Sequence, residues 1–249
     1  MSKYLGEDDL ILNTSSRIPV CLCIDTSASM RRVIDGTGRD TGETEFVDGK
    51  HWRIVEGGKN LLDNMNEGLE AFYKAINSNE QAKLSCELAV VTFDDEARVL
   101  EDFGTLDKKR PVRISETGDN TALGEGISLA LNLLETRKRE YRKNGVDYYQ
   151  PWLVIFTDGD ASDSVAEARQ KIRSLEEEKK LTVFTFALSD DVNMKALGEL
   201  SRRRPISLKT DKLEEFFEWL GKSVSTVSMS QVGEKVKLDT SGMDDWAEI

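Results

Sequence analysis

The stretch Arg17 to Met30, RIPVCLCIDTSASM, constrains this chain more than any other, because an apolar run ends there at a carboxylate followed by two alternating hydroxyls. From Ile18 to Ile24 the run is short and rich in Val and Ile, so it reads as a buried strand entering a polar turn. Asp25, Ser27 and Ser29 then form D-x-S-x-S and place three oxygen side chains at the strand's carboxyl end. In an open α/β sheet that end is where ligands bind.

A second apolar run, Trp152 to Thr157, stops in the same way at Asp158 and Gly159. Between these two strands the pattern predicts a helix through Leu61, Met65, Leu69, Phe72 and Ile76, a strand from Leu84 to Phe93, and a return strand from Ala97 to Glu101. The link Asp94-Asp95-Glu96 is too short for a parallel crossover, so this pair is antiparallel. The loop ETGDNT precedes a helix with Leu123, Ile127, Ala130, Leu131 and Leu134 on one face. Its RKREYRK end is expected to be solvated, with cations near the negative pole of the helix dipole. After Asp158 come a helix through Val165, Ala168, Ile172 and Leu175, a strand from Leu181 to Ala187, a short helix at Met194 to Leu200, a weak strand at Ile206 to Leu208, and a last helix from Leu213 to Val227.

Strands alternating with helices predict an α/β fold with a doubly wound, mostly parallel Rossmann-like sheet, one antiparallel edge strand and helices on both faces. In the order 3-2-1-4-5-6 the first and fourth strands are neighbours and the chain leaves them in opposite directions, opening a crevice between their ends. Asp25 and Asp158 occupy those ends, and the Thr121 loop can close over the same crevice. Asp25, Ser27, Ser29, Thr121 and Asp158 are therefore expected to converge as an all-oxygen set. Such a set suits a hard cation, and few carboxylates with neutral hydroxyls leave room for water, as Mg²⁺ prefers. Taken singly, Asp25, Ser29 or Thr121 would more readily be read as helix caps.

Around this core, residues 1–16 read as a leader and residues 231–249 as a mobile acidic tail. The segment 31–51 carries four glycines and scattered acids, which argues for turns or a small hairpin, either a lid over the hydroxyl loop or a solvated insertion. Its acids Asp35, Asp40, Glu43, Glu45 and Asp48 lack the spacing of a calcium loop. The formal net charge of −12 disfavours nucleic acid and anionic membrane as partners. With no apolar signal segment or membrane-length run, the expected location is the cytoplasm. Cys21, Cys23 and Cys86 are expected to be buried reduced thiols.

The motifs DTSAS at Asp25 to Ser29, NTALG at Asn120 to Gly124 and FTDG at Phe156 to Gly159 resemble, in order and placement, the metal-ion-dependent adhesion site of von Willebrand factor A domains. The resemblance spans about Ile18 to Val227, within a domain taken as 17–230. RIPVCLCIDTSASM, ELAVVTFDDEARV and PWLVIFTDGDASD are most similar to bacterial intracellular members of the TerY and YegL type, associated with tellurium resistance and with phosphatase or kinase partners.

The resemblance implies a Mg²⁺ site, with Mn²⁺ or Ca²⁺ as alternatives. Ser27 and Ser29 would ligate directly, Thr121 directly or through water, and Asp25 and Asp158 mostly through water. The ion would keep a position for an Asp or Glu carboxylate of a protein partner, and the implied role is a scaffold or adaptor in a stress-response or phospho-signalling complex. The sequence departs from the family pattern at Ala28, where Gly is frequent, and in the 31–51 insertion. Asp244, Asp245 or Glu248 of the tail would offer a carboxylate for self-association.

The alternative is a metal-dependent hydrolase or phosphatase using the same crevice. Against it, Ser27 stands where a haloacid-dehalogenase-type phosphatase needs its second Asp, Arg53 where a P-loop needs its first Gly, and no G-x-S-x-G occurs. His51, the only histidine, lies in a loop. The chain is therefore expected not to be an enzyme.

Overall fold

The computed structural model describes residues 10, 12–34, 36–47, 50–115 and 118–248. The expectations placed on residues 1–9 and 11 of the leader, and on Asp35, Asp48 and Thr117, lie outside the described residues. Strand β1 (Ile18–Asp25) is buried along its whole length. Its alternate residues divide between two cores: Ile18, Val20, Leu22 and Ile24 face one side of the sheet, Cys21 and Cys23 the other. A strand covered on both faces needs no polar alternation, which is why it is apolar at almost every position.

The chain continues through an antiparallel hairpin, β2 (Arg39–Val47) and β3 (Lys50–Glu56), then α1 (Leu61–Asn77), α2 (Glu80–Ser85), β4 (Cys86–Phe93), β5 (Ala97–Glu101) and α3 (Leu123–Asn144). There follow β6 (Trp152–Thr157), α4 (Ala166–Glu177), β7 (Thr182–Ala187), α5 (Met194–Leu200), β8 (Ile206–Leu208), α6 (Leu213–Ser228), α7 (Met243–Trp246) and β9 (Ala247–Glu248). The main sheet runs β5-β4-β1-β6-β7-β8-β9. Its first six members reproduce the expected 3-2-1-4-5-6 order, with β4 and β6 both parallel to β1 and β5 antiparallel to β4.

Helices α1 and α6 cover one face and α3, α4 and α5 the other. The approach of α1 to α6 is close: a Cβ on Gly68 would lie 2.3 Å from Phe217, and one on Gly221 would lie 2.6 Å from the Ala75 Cβ. Cys21, Cys23 and Cys86 are free and buried, and burial raises all three thiols far above their ordinary range, so they remain protonated apolar fillers.

Three expectations are corrected. The acidic tail, expected to be mobile, returns to the sheet: β9 pairs antiparallel with β8, giving the sheet a second antiparallel edge strand, and Trp246 is buried against Phe216 and Trp219. The end of α3, expected to be solvated, turns Arg137, Lys138 and Tyr141 inward. The hairpin runs past residue 51 to Glu56, and its stem closes where Val33 pairs with Asn60 just before α1. Arg39–Glu56, Arg53–Asp40 and the bond from Thr41 Oγ1 to the Ile54 carbonyl all run between its own two strands.

Candidate metal centre

The carboxyl ends of β1 and β6 lie side by side, since Ile24 pairs with Phe156 in parallel register. One residue further along each strand, Asp25 and Thr157 meet, and the Thr157 hydroxyl donates to Asp25 Oδ2 at 2.7 Å. Asp25 Oδ1 accepts from the Ser27 backbone N–H at 2.9 Å, which folds the chain back on itself after the strand. The 3-10 turn Ala28–Arg31 follows and turns the Ser29 side chain toward β6. There the Ser29 hydroxyl donates to Asp158 Oδ1 at 2.7 Å, with the Ser27 and Ser29 oxygens 3.1 Å apart and the Ser27 hydroxyl 3.4 Å from the same carboxylate oxygen. Four of the five expected residues thus meet within hydrogen-bonding distance of one another. The turn forms with Ala28 in place of Gly.

Thr121 arrives from the loop before α3. Its hydroxyl would sit 3.8 Å from a Cβ built on Gly159, which places it beside the Asp158–Gly159 step. This residue is not the helix cap that its position before α3 suggests. The N-terminal turn of α3 is capped from outside, where the Gly124 and Glu125 N–H groups donate to the two oxygens of Asp163, both at 2.9 Å. Ser162 holds Thr121 by its backbone: the Thr121 N–H donates to Ser162 Oγ at 3.1 Å and the Ser162 N–H donates to the Thr121 carbonyl at 2.9 Å. Asp95, in the β4–β5 turn, accepts from the N–H groups of Asp119 and Asn120 and from the Asn120 side chain. The Thr121 main chain and its helix are thus secured by other residues. Sequence reasoning missed Thr157, Asp95, Ser162 and Asp163; only Thr157 had a local signal, as the hydroxyl next to the second strand-ending carboxylate.

Burial pushes Asp25 up to about 7, with the neighbouring Asp158 charge adding to it and the Ser27 and Thr157 hydrogen bonds opposing. Burial also raises Asp158, against the lowering pull of the Ser29 hydroxyl and the Arg32 guanidinium. Two buried carboxylates held together in this way favour whatever positive charge is at hand, proton or metal ion. Asp158 Oδ2 is buried without a hydrogen-bond partner. An orphaned carboxylate oxygen is costly in a protein interior, and a cation or its bound water would satisfy it.

The donor set fits one class of ion. Among the described residues no cluster of three or more His, Cys, Asp and Glu side chains is placed to hold a metal. What converges is the Ser27 and Ser29 hydroxyls and the Asp25 and Asp158 carboxylates, with the Thr121 hydroxyl beside Gly159, a set without nitrogen or sulfur. That composition suits Mg²⁺ or Mn²⁺ with retained waters better than a structural zinc ion, which takes thiolate and imidazole.

The profile of the von Willebrand factor type A domain matches residues 20–218. No curated protein sequence matches the chain. Among solved structures, a von Willebrand factor type A protein from Catenulispora acidiphila is 16% identical over 85% of this chain and 43% of its own, at a TM-score of 0.53. The PilB minor pilin from Streptococcus sanguinis is 15% identical over 85% of this chain and 62% of its own, at 0.54. Proximal thread matrix protein 1 from the mussel byssus, with a zinc-occupied MIDAS motif, is 12% identical over 86% of this chain and 49% of its own, at 0.50. The chain therefore spans between 43% and 62% of the length of these three proteins. At such identities the likeness shows the fold alone.

Proposed function

The chain belongs to the von Willebrand factor type A domain family, and from that premise we propose that it is a metal-dependent protein-binding module holding Mg²⁺ at Asp25, Ser27, Ser29, Thr121 and Asp158. The observation that carries this reading is the buried Asp158 Oδ2, without a hydrogen-bond partner, in a carboxylate whose other oxygen gathers the Ser27 and Ser29 hydroxyls. Ser27 and Ser29 supply neutral ligands, Thr121 a third, and the two carboxylates charge. An ion held mostly by neutral hydroxyls stays strongly electrophilic, and an Asp or Glu of a partner protein completes its shell. The zinc-occupied site of the mussel protein supports the idea that this fold holds a divalent ion at such a motif.

We read the site as non-catalytic. Its carboxylates are engaged in fixing hydroxyls, and His51, the sole imidazole, lies in the hairpin against Phe46, with ring centres 4.9 Å apart. The finer reading is a cytoplasmic scaffold of the TerY and YegL type, serving a bacterial stress or phospho-signalling complex with phosphatase or kinase partners. Its support is the wording of the motifs themselves. The structure adds that no helix among the described residues is long and apolar enough to cross a membrane. Self-association through Asp244 and Asp245 belongs to the same reading; both side chains are exposed.

Calorimetric titration with MgCl₂ and thermal melting with Mg²⁺ or EDTA test the core of the proposal. Saturating ion is expected to raise the melting temperature by several degrees through mass action, and Ser29→Ala and Asp158→Asn are expected to abolish the rise without unfolding the chain. Folded protein that takes up no divalent ion ends the proposal.

A further inference from the structure

Asp94 and Asp95 stand side by side in the turn between β4 and β5, and together they touch both loops of the metal centre. Asp94 is fully buried although it sits in a turn, and a carboxylate so placed needs partners. Its Oδ2 accepts from the Thr26 hydroxyl at 3.2 Å and from Arg98 Nη1 at 2.9 Å. Thr26 lies between Asp25 and Ser27, is only 1% exposed, and donates its N–H to the Phe93 carbonyl at 2.8 Å. The DTSAS loop is thus pinned to the end of β4, the neighbour of β1 on the side opposite β6.

The same turn holds the second loop. The Ala122 N–H donates to the Asp94 carbonyl at 2.8 Å, and Asp95 Oδ1 accepts from the Asn120 N–H at 3.0 Å and from the Asn120 side chain at 2.6 Å. Both chain neighbours of Thr121 are therefore tied to two consecutive residues. Between the loops, Ser27 and Gly118 form a parallel bridge in which the Gly118 N–H donates to the Thr26 carbonyl at 3.3 Å. The junction leaves no room for a side chain: a Cβ on Gly118 would lie 2.6 Å from Asp95 Oδ2 and 2.9 Å from the Asp94 Cβ.

We propose that the Asp94–Asp95 turn is a clamp that fixes the spacing between the DTSAS hydroxyls and Thr121, and that through this spacing it sets which ion the centre prefers. This rests on the metal-binding reading above. Mg²⁺ demands near-ideal octahedral geometry at about 2.0–2.1 Å, whereas Ca²⁺ accepts looser arrangements at about 2.3–2.6 Å. Loops tied at one separation favour the smaller and stricter ion, and loops free to part lose that preference. Thr26, Asp94 and Asp95 are positioning residues in this scheme, acting on the ion through the ligands they hold.

Calorimetry of the full chain with MgCl₂ and with CaCl₂, beside melting in EDTA, tests the proposal. Thr26→Val keeps the shape of the side chain and removes the hydroxyl, and Asp95→Ala opens the other half of the clamp at an exposed position. Each is expected to lose about tenfold in Mg²⁺ affinity, the lower end of what removing a partner that orients a metal ligand costs, and clearly less in Ca²⁺ affinity. Thr26→Ser, which restores the donor, is expected to return the ratio of the two affinities to that of wild type. Asp95→Ala decides alone if Thr26→Val does not fold. A lower melting temperature in EDTA with both affinities unchanged makes the turn a brace for the fold and overturns the clamp, as does equal loss for the two ions; wild type still takes up Mg²⁺ in both cases, so the metal site stands. Wild type that takes up neither ion overturns the metal site and the clamp with it.

Discussion

Asp25 is the residue on which the chemistry of the site turns. Its carboxyl is held near 7 by burial, so between about pH 4 and about pH 7 the folded protein binds a proton there that the unfolded chain does not. The sign follows: this contribution to stability is fully present below the ordinary carboxylate range and is lost as pH rises through about 7. The loss is on the order of 4 kcal/mol at most. A divalent ion replaces the proton and removes the penalty. In EDTA the melting temperature is expected to fall as pH is raised across this window, and the rise produced by Mg²⁺ to be larger at about pH 8 than at about pH 5. Asp25→Asn should flatten both, being more stable than wild type in EDTA at the higher pH and unresponsive to Mg²⁺. A Mg²⁺ effect of equal size at both ends would show that Asp25 is ionised in the metal-free protein.

A second residue, Glu87, is buried on β4 with no exposure and accepts from Arg137 through both of its oxygens, at 2.6 and 2.9 Å, while the Tyr141 hydroxyl donates to it at 2.6 Å. Arg17 adds an ion pair at 3.1 Å. Removing the acid would leave two guanidinium groups in the interior, so Glu87→Ala is expected to cost about 3–5 kcal/mol in denaturant unfolding while leaving Mg²⁺ uptake by the remaining folded protein intact. This network also accounts for the buried end of α3, where the sequence predicts a solvated one. A run such as RKREYRK looks the same whichever cations turn inward, and the acid that turns them inward lies 50 residues away from Arg137. The available signal was Glu87 itself, a single charge inside the otherwise apolar strand CELAVVTF.

At the scale of elements, α3 is joined to the site through its capping. Asp163 accepts from two N–H groups of its first turn, and Ser162 holds the Thr121 backbone just before it. Asp163→Ala is therefore expected to cost about 1–2 kcal/mol as a lost cap and also to weaken Mg²⁺ binding, because Thr121 loses its support. An ordinary surface cap would give the first effect without the second, so melting and calorimetry on one variant separate the two. The strands, their order and the meeting of Asp25, Ser27, Ser29 and Asp158 were legible because each rests on contiguous residues: apolar runs of strand length, carboxylates at their ends, and a topology with few alternatives. The capping was not. Asp163 serves a helix whose first residues lie 38 and 39 positions earlier, and no periodicity links them. The hairpin shows the same limit, since its glycines announced turns but gave no sign that pairing would continue to Glu56.

Across the whole molecule, the segment after α6 closes the aromatic core. The Trp219 indole donates to the Asp239 carbonyl at 2.6 Å, Val236, Leu238 and Met243 pack on the same cluster, and Trp246 sits 3% exposed with its ring centre 5.2 Å from that of Phe216. A lone tryptophan among acids, DDWAEI, carries no periodic signal, and so the composition pointed to a free tail. The strap pairs the β8 edge and leaves the two-residue β9 as the sheet margin on that side, and very short edge strands offer little for another chain to pair with. Ending the chain after Gln231 would uncover Phe216 and Trp219 together. Loss of the Trp246 side chain alone is worth about 3 kcal/mol, so the shortened protein is expected to unfold at clearly lower denaturant and to aggregate more readily, in EDTA as well as in Mg²⁺. A strap acting only as a source of carboxylates for a neighbour's metal would instead leave stability unchanged and reduce association in Mg²⁺ alone. Trp246→Ala in the full chain decides between these, because it keeps Asp244, Asp245 and Glu248 in place while removing the anchor.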